Sequence, residues 1–230
     1  MKASFVVAVT GASGVTYAVR LLEALLAAGC DIHLVVSAAA QIVLKHELDL
    51  TVDLDNFTLA SLRLDSGPRV KDPKLQRLRS LSGIASEDSS VLAVGSGDRG
   101  KIHYHHYRDL TAPISSGSFP TDGMAVCPCS TGTLAAIAQG TTTNLIHRAA
   151  EVHLKQRRRL ILVPRETPLS LVHLDNMKRA TEAGAVVLPA MPGFYHGVKT
   201  LMDLVDFIVA RICDQLAVPN SLIERWGSGE

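Results

Sequence analysis

Five short stretches of this sequence set anion-binding or proton-transferring side chains beside residues that turn a chain. Gly11-Ala12-Ser13-Gly14 follows an apolar run. Its glycines permit a tight turn and close backbone approach at a helix start, a place suited to an anion, and the same residues also fit a purely structural turn. Cys127-Pro128-Cys129-Ser130-Thr131-Gly132-Thr133 lines hydroxyls and a glycine along a second helix start, where side-chain and backbone donors can hold a phosphate. Pro164-Arg165-Glu166-Thr167-Pro168 puts a cation next to a carboxylate. A surface ion pair would contribute only about 0.2–1 kcal/mol, so the position of this pair argues for function more than its pairing does. Pro189 to His196 presents Tyr195, which either binds an oxyanion or packs. Arg211 stands between Ala210 and Ile212 in an otherwise apolar stretch, where a buried unpaired charge would be costly, so it either reaches water or meets an anion.

Several chemistries are disfavoured by spacing. The first glycine motif is not GxGxxG, and the second apolar run ends in Ser37 where a dinucleotide site wants an acidic residue for the ribose. The cysteines at 127 and 129 form CxC rather than CxxC and have no second ligand pair, which makes them packing residues and not a metal or redox site. On a strand His103 and His105 share one face and His106 takes the other, so these three do not assemble a metal site. No metal is expected. Lys155, Arg157, Arg158 and Arg159 form the strongest basic run, and its three arginines read as a solvated face.

The elements that carry these residues alternate. Phe5 to Val9 is a continuous apolar run, as in a parallel strand covered on both faces. Tyr17, Leu21, Leu22, Leu25 and Leu26 recur at helical spacing, closed by Gly29. Ile32 to Val36 repeats the strand signal, and Ser37 caps the following AAAQIVLKHEL helix. After Pro120 come strands at 124–127, 160–163 and 185–188, and helices at 133–139, 143–156, 170–183 and 198–216. This order predicts a single-domain α/β protein over residues 1–230, a doubly wound parallel sheet of the Rossmann or flavodoxin-like type. Ligands in such sheets lie beyond the carboxyl ends of the strands, where the motifs above fall. Residues 51–109 lack a clear pattern. Within them the 91–94 run, GSGDRG and the alternating KIHYHHY predict a hairpin.

Composition narrows the setting. The 230 residues are 47% hydrophobic and 20% charged, and 23 basic against 22 acidic residues leave a formal charge of +1. Such a balance gives no global field to gather nucleic acid or an anionic membrane, so any anion recognition is local. Four cysteines in a chain with ample core are expected as reduced thiols. The amino-terminal apolar run stops at Thr10-Gly11, too short for a signal segment or a membrane span, and a cytoplasmic protein is expected.

Taken in order, TGASG, CPCSTGTLAAIA, NLIHRAAEVHLKQRR, LVPRETPLS, HLDNMKRATEAGAVVLPAMPGFYHG and LVDFIVARI resemble the UbiX-type flavin prenyltransferases over residues 4–49 and 111–227. The resemblance implies an FMN site made by Gly11, Ala12, Ser13, Ser37, Ser130, Thr131, Gly132, Thr133 and Arg165, with Arg148 near the flavin phosphate. It implies a donor phosphate site at Lys155, Arg165, Tyr195 and Arg211, and a prenyl pocket at Phe207 and Trp226. Glu166, Glu47, Lys155 and Ser13 match the family's catalytic positions. The implied reaction moves a dimethylallyl group from dimethylallyl phosphate to N5 and C6 of reduced FMN. The product would serve a UbiD-type decarboxylase, and the implied assembly is a homo-oligomer, a dodecamer. Residues 51–109 align with nothing in the family pattern, Leu110 replaces a common tryptophan, and Ser115 a usual alanine. Two other readings share the flavin loops: an FMN-dependent cysteine-peptide decarboxylase and a non-catalytic FMN-binding regulatory subunit. PAMPGFYHG, where those decarboxylases carry a PxMNxxMW-like segment, argues against the first.

Overall fold

The structure is a computed structural model that describes residues 2–64, 72–75, 78 and 100–227. Six strands, β1 (Ser4–Val9), β2 (Asp31–Val36), β3 (Ile102–His106), β4 (Gly123–Cys129), β5 (Arg159–Pro164) and β6 (Val186–Val187), form one sheet in the order β3-β2-β1-β4-β5-β6. Every pairing is parallel. The connecting helices are α1 (Val15–Ala27), α2 (Ala38–Leu48), α3 (Thr131–Ala138), α4 (Leu145–Lys155), α5 (Leu171–Glu182) and α6 (Leu201–Leu216). This is the doubly wound α/β architecture expected, with the strand order of a Rossmann sheet.

The inner strands are buried on both faces, which is why their sequences are continuous rather than alternating. On one face α1 lays Val15, Ala18, Leu21, Leu22 and Leu25 into a core shared with Val205, Ile208, Val209 and Ile212 of α6. On the other, Leu145, Ile146, Ala149 and Ala150 of α4 pack with Val6, Val126 and Leu162 of the sheet. Gly29, at φ 75°, takes the left-handed conformation that lets the chain leave α1 for β2. Among the described residues no helix is long and apolar enough to cross a membrane.

The hairpin expected around 91–106 is corrected in its described half. Residues 102–106 pair in parallel with β2, with His33 opposite His103, and so form the sheet's edge strand; residues 91–94 lie outside the described residues. Alternation reports a strand with unlike faces and does not name its partner. One face of β3 lies under the 50–64 segment: the Tyr104 ring stacks 4.2 Å from Phe57, and its hydroxyl donates to the Leu54 carbonyl at 2.9 Å. On the other face His103 and His105 stack against His33, whose Nδ1 is 2.9 Å from His105 Nε2. Burial, then His105 and His103, lower the His33 pKa to about 4, so its ring is neutral at pH 7. Leu50, Val52, Leu54, Leu62 and Leu64 join the same core as α1 and α6, so this part of 51–109 is a cover over the sheet.

An ion network absent from the sequence reading ties that cover to the helices. Asp206 sits in the apolar stripe of α6 with 0% exposure. It accepts from Arg20 Nε at 2.6 Å and Lys74 Nζ at 2.7 Å. Arg20 also meets Asp72 and Glu23, and Lys74 meets Asp203. The Lys74 ammonium, followed by the Lys199 and Thr200 amides, holds the Asp203 carboxyl well below the usual carboxylate range. Removing Asp206 takes away the fully buried acceptor of the network and leaves the buried Arg20 guanidinium with less compensating charge. Asp206→Ala should therefore lower unfolding stability by about 3–5 kcal/mol in urea denaturation; a loss below about 1 kcal/mol would show that the network is not stabilising.

Candidate active site

The strand order reverses between β1 and β4, and a doubly wound sheet opens a crevice there. Here the crevice is laced shut at its base by Thr10, which is buried at the end of β1. The Thr10 N–H and hydroxyl both donate to the Pro128 carbonyl, at 3.2 and 2.8 Å, and the hydroxyl accepts the Ser130 N–H at 2.7 Å. One side chain thus fixes the β1 loop against the β4 loop. Ser130 then caps α3, its Oγ accepting the Thr133 N–H at 3.3 Å and donating to Thr133 Oγ1 at 3.0 Å. The Leu134 N–H is taken by the Ser130 carbonyl. The Thr131 and Gly132 amides make no hydrogen bond among the described residues, and a Cβ at Gly132 would meet nothing within 4 Å. An open pair of donors at a positive helix end suits a phosphate or carbonyl oxygen.

The β1 loop closes the other wall. A Cβ on Gly11 would lie 2.5 Å from Ala39 Cβ, so only glycine lets this loop press on the first turn of α2. Ser37 caps that turn through Ala40 N–H at 3.1 Å and anchors it by donating its own N–H to the Val9 carbonyl at 3.0 Å. Gly14, at φ 103°, gives α1 no side-chain cap. Glu47, from the end of α2, supplies one: its carboxylate accepts the Gly14 N–H at 2.9 Å and the Val15 N–H at 3.1 Å. The anion place at the start of α1 is therefore filled from within the chain, which leaves the α3 start as the open one. Arg165, just past β5, donates through Nε to the Ser13 carbonyl at 3.4 Å. Tyr17 lies beside them; burial and Cys127 raise its phenol pKa, while Arg165 pulls the other way. The sequence reading used Tyr17 only as a packing residue. Cys127 and Cys129 are fully buried, and burial pushes the Cys129 thiol up to about 12, consistent with packing rather than nucleophilic roles.

Glu166 and Arg165 line a cleft of about 270 Å³ with Leu169, Met177, Pro189 and Met191. Glu166 Oε1 accepts the Thr167 N–H at 3.1 Å. The loop beyond β6 stays near the end of β5, since the Ala190 N–H donates to the Pro164 carbonyl at 3.0 Å. It then turns into an aromatic cluster: the Tyr195 ring meets Phe207 and Trp226 edge-on, both at 5.7 Å between centroids. Tyr195 is 59% and Trp226 85% exposed, so this cluster presents an apolar surface outward. Arg211 is paired with Asp214 of the same helix at 3.2 Å.

One chain brings together Gly11, Ala12, Ser13, Ser37, Glu47, Ser130, Thr131, Gly132, Thr133 and Arg165 at the crevice, and separately Tyr195, Phe207 and Trp226. It does not bring Lys155 to either group. Lys155 ends α4 four residues before Arg159, which opens β5 at the amino edge of the sheet. Arg165 and Glu166 follow the other end of that six-residue strand, roughly 20 Å away. Arg148 is held by the Ser115 carbonyl at 3.0 Å and Glu151 at 2.9 Å.

Comparison with known proteins matches residues 1–213 to the family described as Flavoprotein. The flavin prenyltransferase UbiX of Pseudomonas aeruginosa is 41% identical over 220 residues, covering 96% of this chain and 92% of the relative. A crystal structure of AnUbiX (PadA1) in complex with FMN and dimethylallyl pyrophosphate superposes with a TM-score of 0.76 at 36% identity, covering 100% of both chains. A dodecameric FMN-dependent UbiX-like decarboxylase from Escherichia coli O157:H7 gives a TM-score of 0.72 at 34% identity, with 98% of this chain and 99% of that one covered.

Thr10→Val keeps the volume of the lacing side chain and removes its hydroxyl. It should cost about 1–3 kcal/mol by leaving the half-buried Ser130 amide without its acceptor, and Thr10→Ser should recover most of that in thermal or urea unfolding. Equal stability of the valine variant and the parent would show that the two loops hold together without Thr10.

Proposed function

The chain belongs to the Flavoprotein family and, within it, to the UbiX flavin prenyltransferases, and from that premise we propose that it transfers a dimethylallyl group from dimethylallyl phosphate to reduced FMN. The observation that carries the reading is the crevice between β1 and β4. There the open Thr131 and Gly132 amides, the Ser130 and Thr133 hydroxyls and Arg165 surround the turn of Gly11, Ala12 and Ser13. Those groups fit a flavin mononucleotide: donors for its phosphate and ring carbonyls, and a glycine face at Gly132 that leaves room.

Reduced flavin supplies a nucleophilic N5 and, for ring closure, C6. The protein's task is to hold the donor in line and to stabilise the charge that appears when the allylic C–O bond breaks and its electron pair leaves on phosphate. Arg165, Arg211, Lys155 and the Tyr195 hydroxyl are the groups for that charge, the electrostatic contribution that usually dominates enzymatic rate. Tyr195, Phe207 and Trp226 give the five-carbon chain an apolar wall, and a subunit contact that covers these exposed rings would keep water from the allylic carbon. Glu166, whose carboxylate carries one backbone hydrogen bond, is the proton carrier. Glu47, committed to the Gly14 and Val15 amides, holds the Ser13 loop in place. The loop after β6 reads PAMPGFYHG rather than a PxMNxxMW-like segment, which does not favour the cysteine-peptide decarboxylase reading.

Because Lys155 lies away from the crevice in one chain, a neighbouring copy brings it there. The dodecameric relative supports such an assembly. Exposed Leu171, Val172, Phe194 and Leu201 supply apolar surface for subunit contacts. The modified flavin is itself a cofactor, so the recipient of the product is a UbiD-type decarboxylase. Four free, buried cysteines fit the reducing cytoplasm as the setting.

Anaerobic incubation of the protein with reduced FMN and dimethylallyl phosphate should yield a flavin heavier by one five-carbon prenyl unit in mass spectrometry; an unchanged flavin mass would refute the reading. Glu166→Gln should bind FMN within about twofold of the parent and slow product formation by roughly 10²–10⁴. Loss of flavin binding in that variant would assign Glu166 to the cofactor instead.

A further inference from the structure

The cover over the sheet reaches the loop that carries Tyr195 through one residue, Asp203, in the first turn of α6. One carboxylate oxygen of Asp203 accepts Lys74 Nζ at 3.0 Å. The other accepts the Lys199 N–H at 3.0 Å, the Thr200 N–H at 2.8 Å and the Thr200 hydroxyl at 2.9 Å. Thr200 Oγ1 takes the Asp203 N–H in return, at 3.3 Å, which completes a capping box. The backbone of the same residue holds the loop at a second place, since the Asp203 carbonyl accepts His196 Nε2–H at 3.1 Å. His196 Nδ1 is buried and has no partner among the described residues, so the bond to Asp203 is what orients this ring.

From His196 the order passes to Tyr195 by packing. The imidazole stacks on Phe207 at 5.1 Å between centroids and meets Tyr195 edge-on at 6.0 Å. A Cβ on Gly193 would lie 2.9 Å from the Tyr195 ring and 3.1 Å from Phe207, so the loop has little room to shift without moving the phenol. Asp203 is itself located by Lys74. The lysine ammonium also binds Asp206 Oδ2 at 2.7 Å, and Asp206 is fully buried and held by Arg20, so the ammonium sits at a fixed point. It is the one charged donor on Asp203, and a charge-assisted bond is roughly twice as strong as a neutral one.

We propose that Lys74 is a positioning residue for the prenyl donor: through Asp203 and His196 it sets the loop of residues 193–200, and with it the Tyr195 hydroxyl, against the departing phosphate. This inference rests on the prenyl-transfer reading. It gives the 51–109 segment a part in the reaction as well as in the core. No bond of the reaction changes at Lys74, which acts with Asp203 between it and the loop.

The test compares the FMN-loaded parent with Lys74→Met, Lys74→Arg, Asp203→Asn and Glu23→Gln by donor kinetics, FMN titration, amide hydrogen exchange and urea unfolding. Lys74→Met should lower kcat/KM for dimethylallyl phosphate by about tenfold, as a small misplacement of a binding group does, with FMN affinity within about twofold of the parent. Exchange of the Lys199 and Thr200 amides should quicken by about tenfold in the same variant. Lys74→Arg, which restores a cation between the two carboxylates, should recover most of both losses. Asp203→Asn keeps an oxygen for the loop amides, gives up the charge that Lys74 holds and leaves Lys74 on Asp206, and it should show the same fall in kcat/KM. Glu23→Gln loosens the ion network at Arg20 without touching Asp203, so it should leave kcat/KM within about twofold of the parent whatever its stability. Unchanged kcat/KM in Lys74→Met or Asp203→Asn, unchanged exchange at Lys199 and Thr200, or an equal loss in Glu23→Gln would overturn the assignment. The parent separates the two ideas: no prenylated flavin from it sinks the prenyl-transfer reading, whereas product from it and from Lys74→Met at equal efficiency sinks this inference alone.

Discussion

A single threonine hydroxyl holds the two halves of the crevice at one spacing. Thr10 closes β1 onto the Pro128 carbonyl and takes the Ser130 amide, so the loop after β1 and the start of α3 cannot move independently. Everything on the crevice walls inherits that constraint. Ser130 is free to cap α3 because its own N–H is satisfied from across the sheet, and the cap leaves the next two amides pointing into the opening. On the facing wall the Glu47 carboxylate takes the Gly14 and Val15 amides at the start of α1, while among the described residues the Thr131 and Gly132 amides at the start of α3 have no acceptor. The result is a directional pocket: one wall takes an anion, the other is already occupied by one.

Much of this was legible in the sequence, for identifiable reasons. Phe5–Val9 and Ile32–Val36 are apolar without alternation because both faces are covered, and Ser37 and Ser130 sit where their hydroxyls must cap. The resemblance set Phe207 and Trp226 in one pocket and Tyr195 at the phosphate site; the structure packs the three rings together. What escaped has physical causes. KIHYHHY alternates because one face of β3 meets Phe57 and the other meets His33, and neither partner is encoded nearby. Asp206 reads as a break in an apolar stripe until Arg20 and Lys74 arrive from 186 and 132 residues away. Thr10 looks like the last residue of a strand. Its role exists only because β4 lies beside β1, a pairing across more than a hundred residues.

The distribution of positive charge is the feature with the widest consequence for the proposed chemistry. Arg165 lies at the crevice, Arg211 at the far side of the aromatic cluster, and Lys155 at the opposite edge of the sheet. A phosphate leaving group needs them close together, since their effect on it falls with distance and with solvent between. Within one chain that convergence is absent. Heterologous interfaces in closed assemblies place one surface of a subunit against a different surface of the next, and such a contact is the proposed means by which the far cations reach the flavin crevice. Water exclusion would follow from the same contact, because the exposed rings of Tyr195 and Trp226 would then be covered.

The most direct measurement of that central claim is subunit complementation. Lys155→Ala and Arg165→Ala proteins, each inactive alone, are co-expressed and purified as one mixed assembly, and prenylated flavin is quantified by mass. Sites shared between copies predict recovery to about a quarter of the parent rate, since random mixing pairs an intact Lys155 with an intact Arg165 at that frequency. Activity no higher than that of either variant alone would contradict the account and require both residues to act from the same chain.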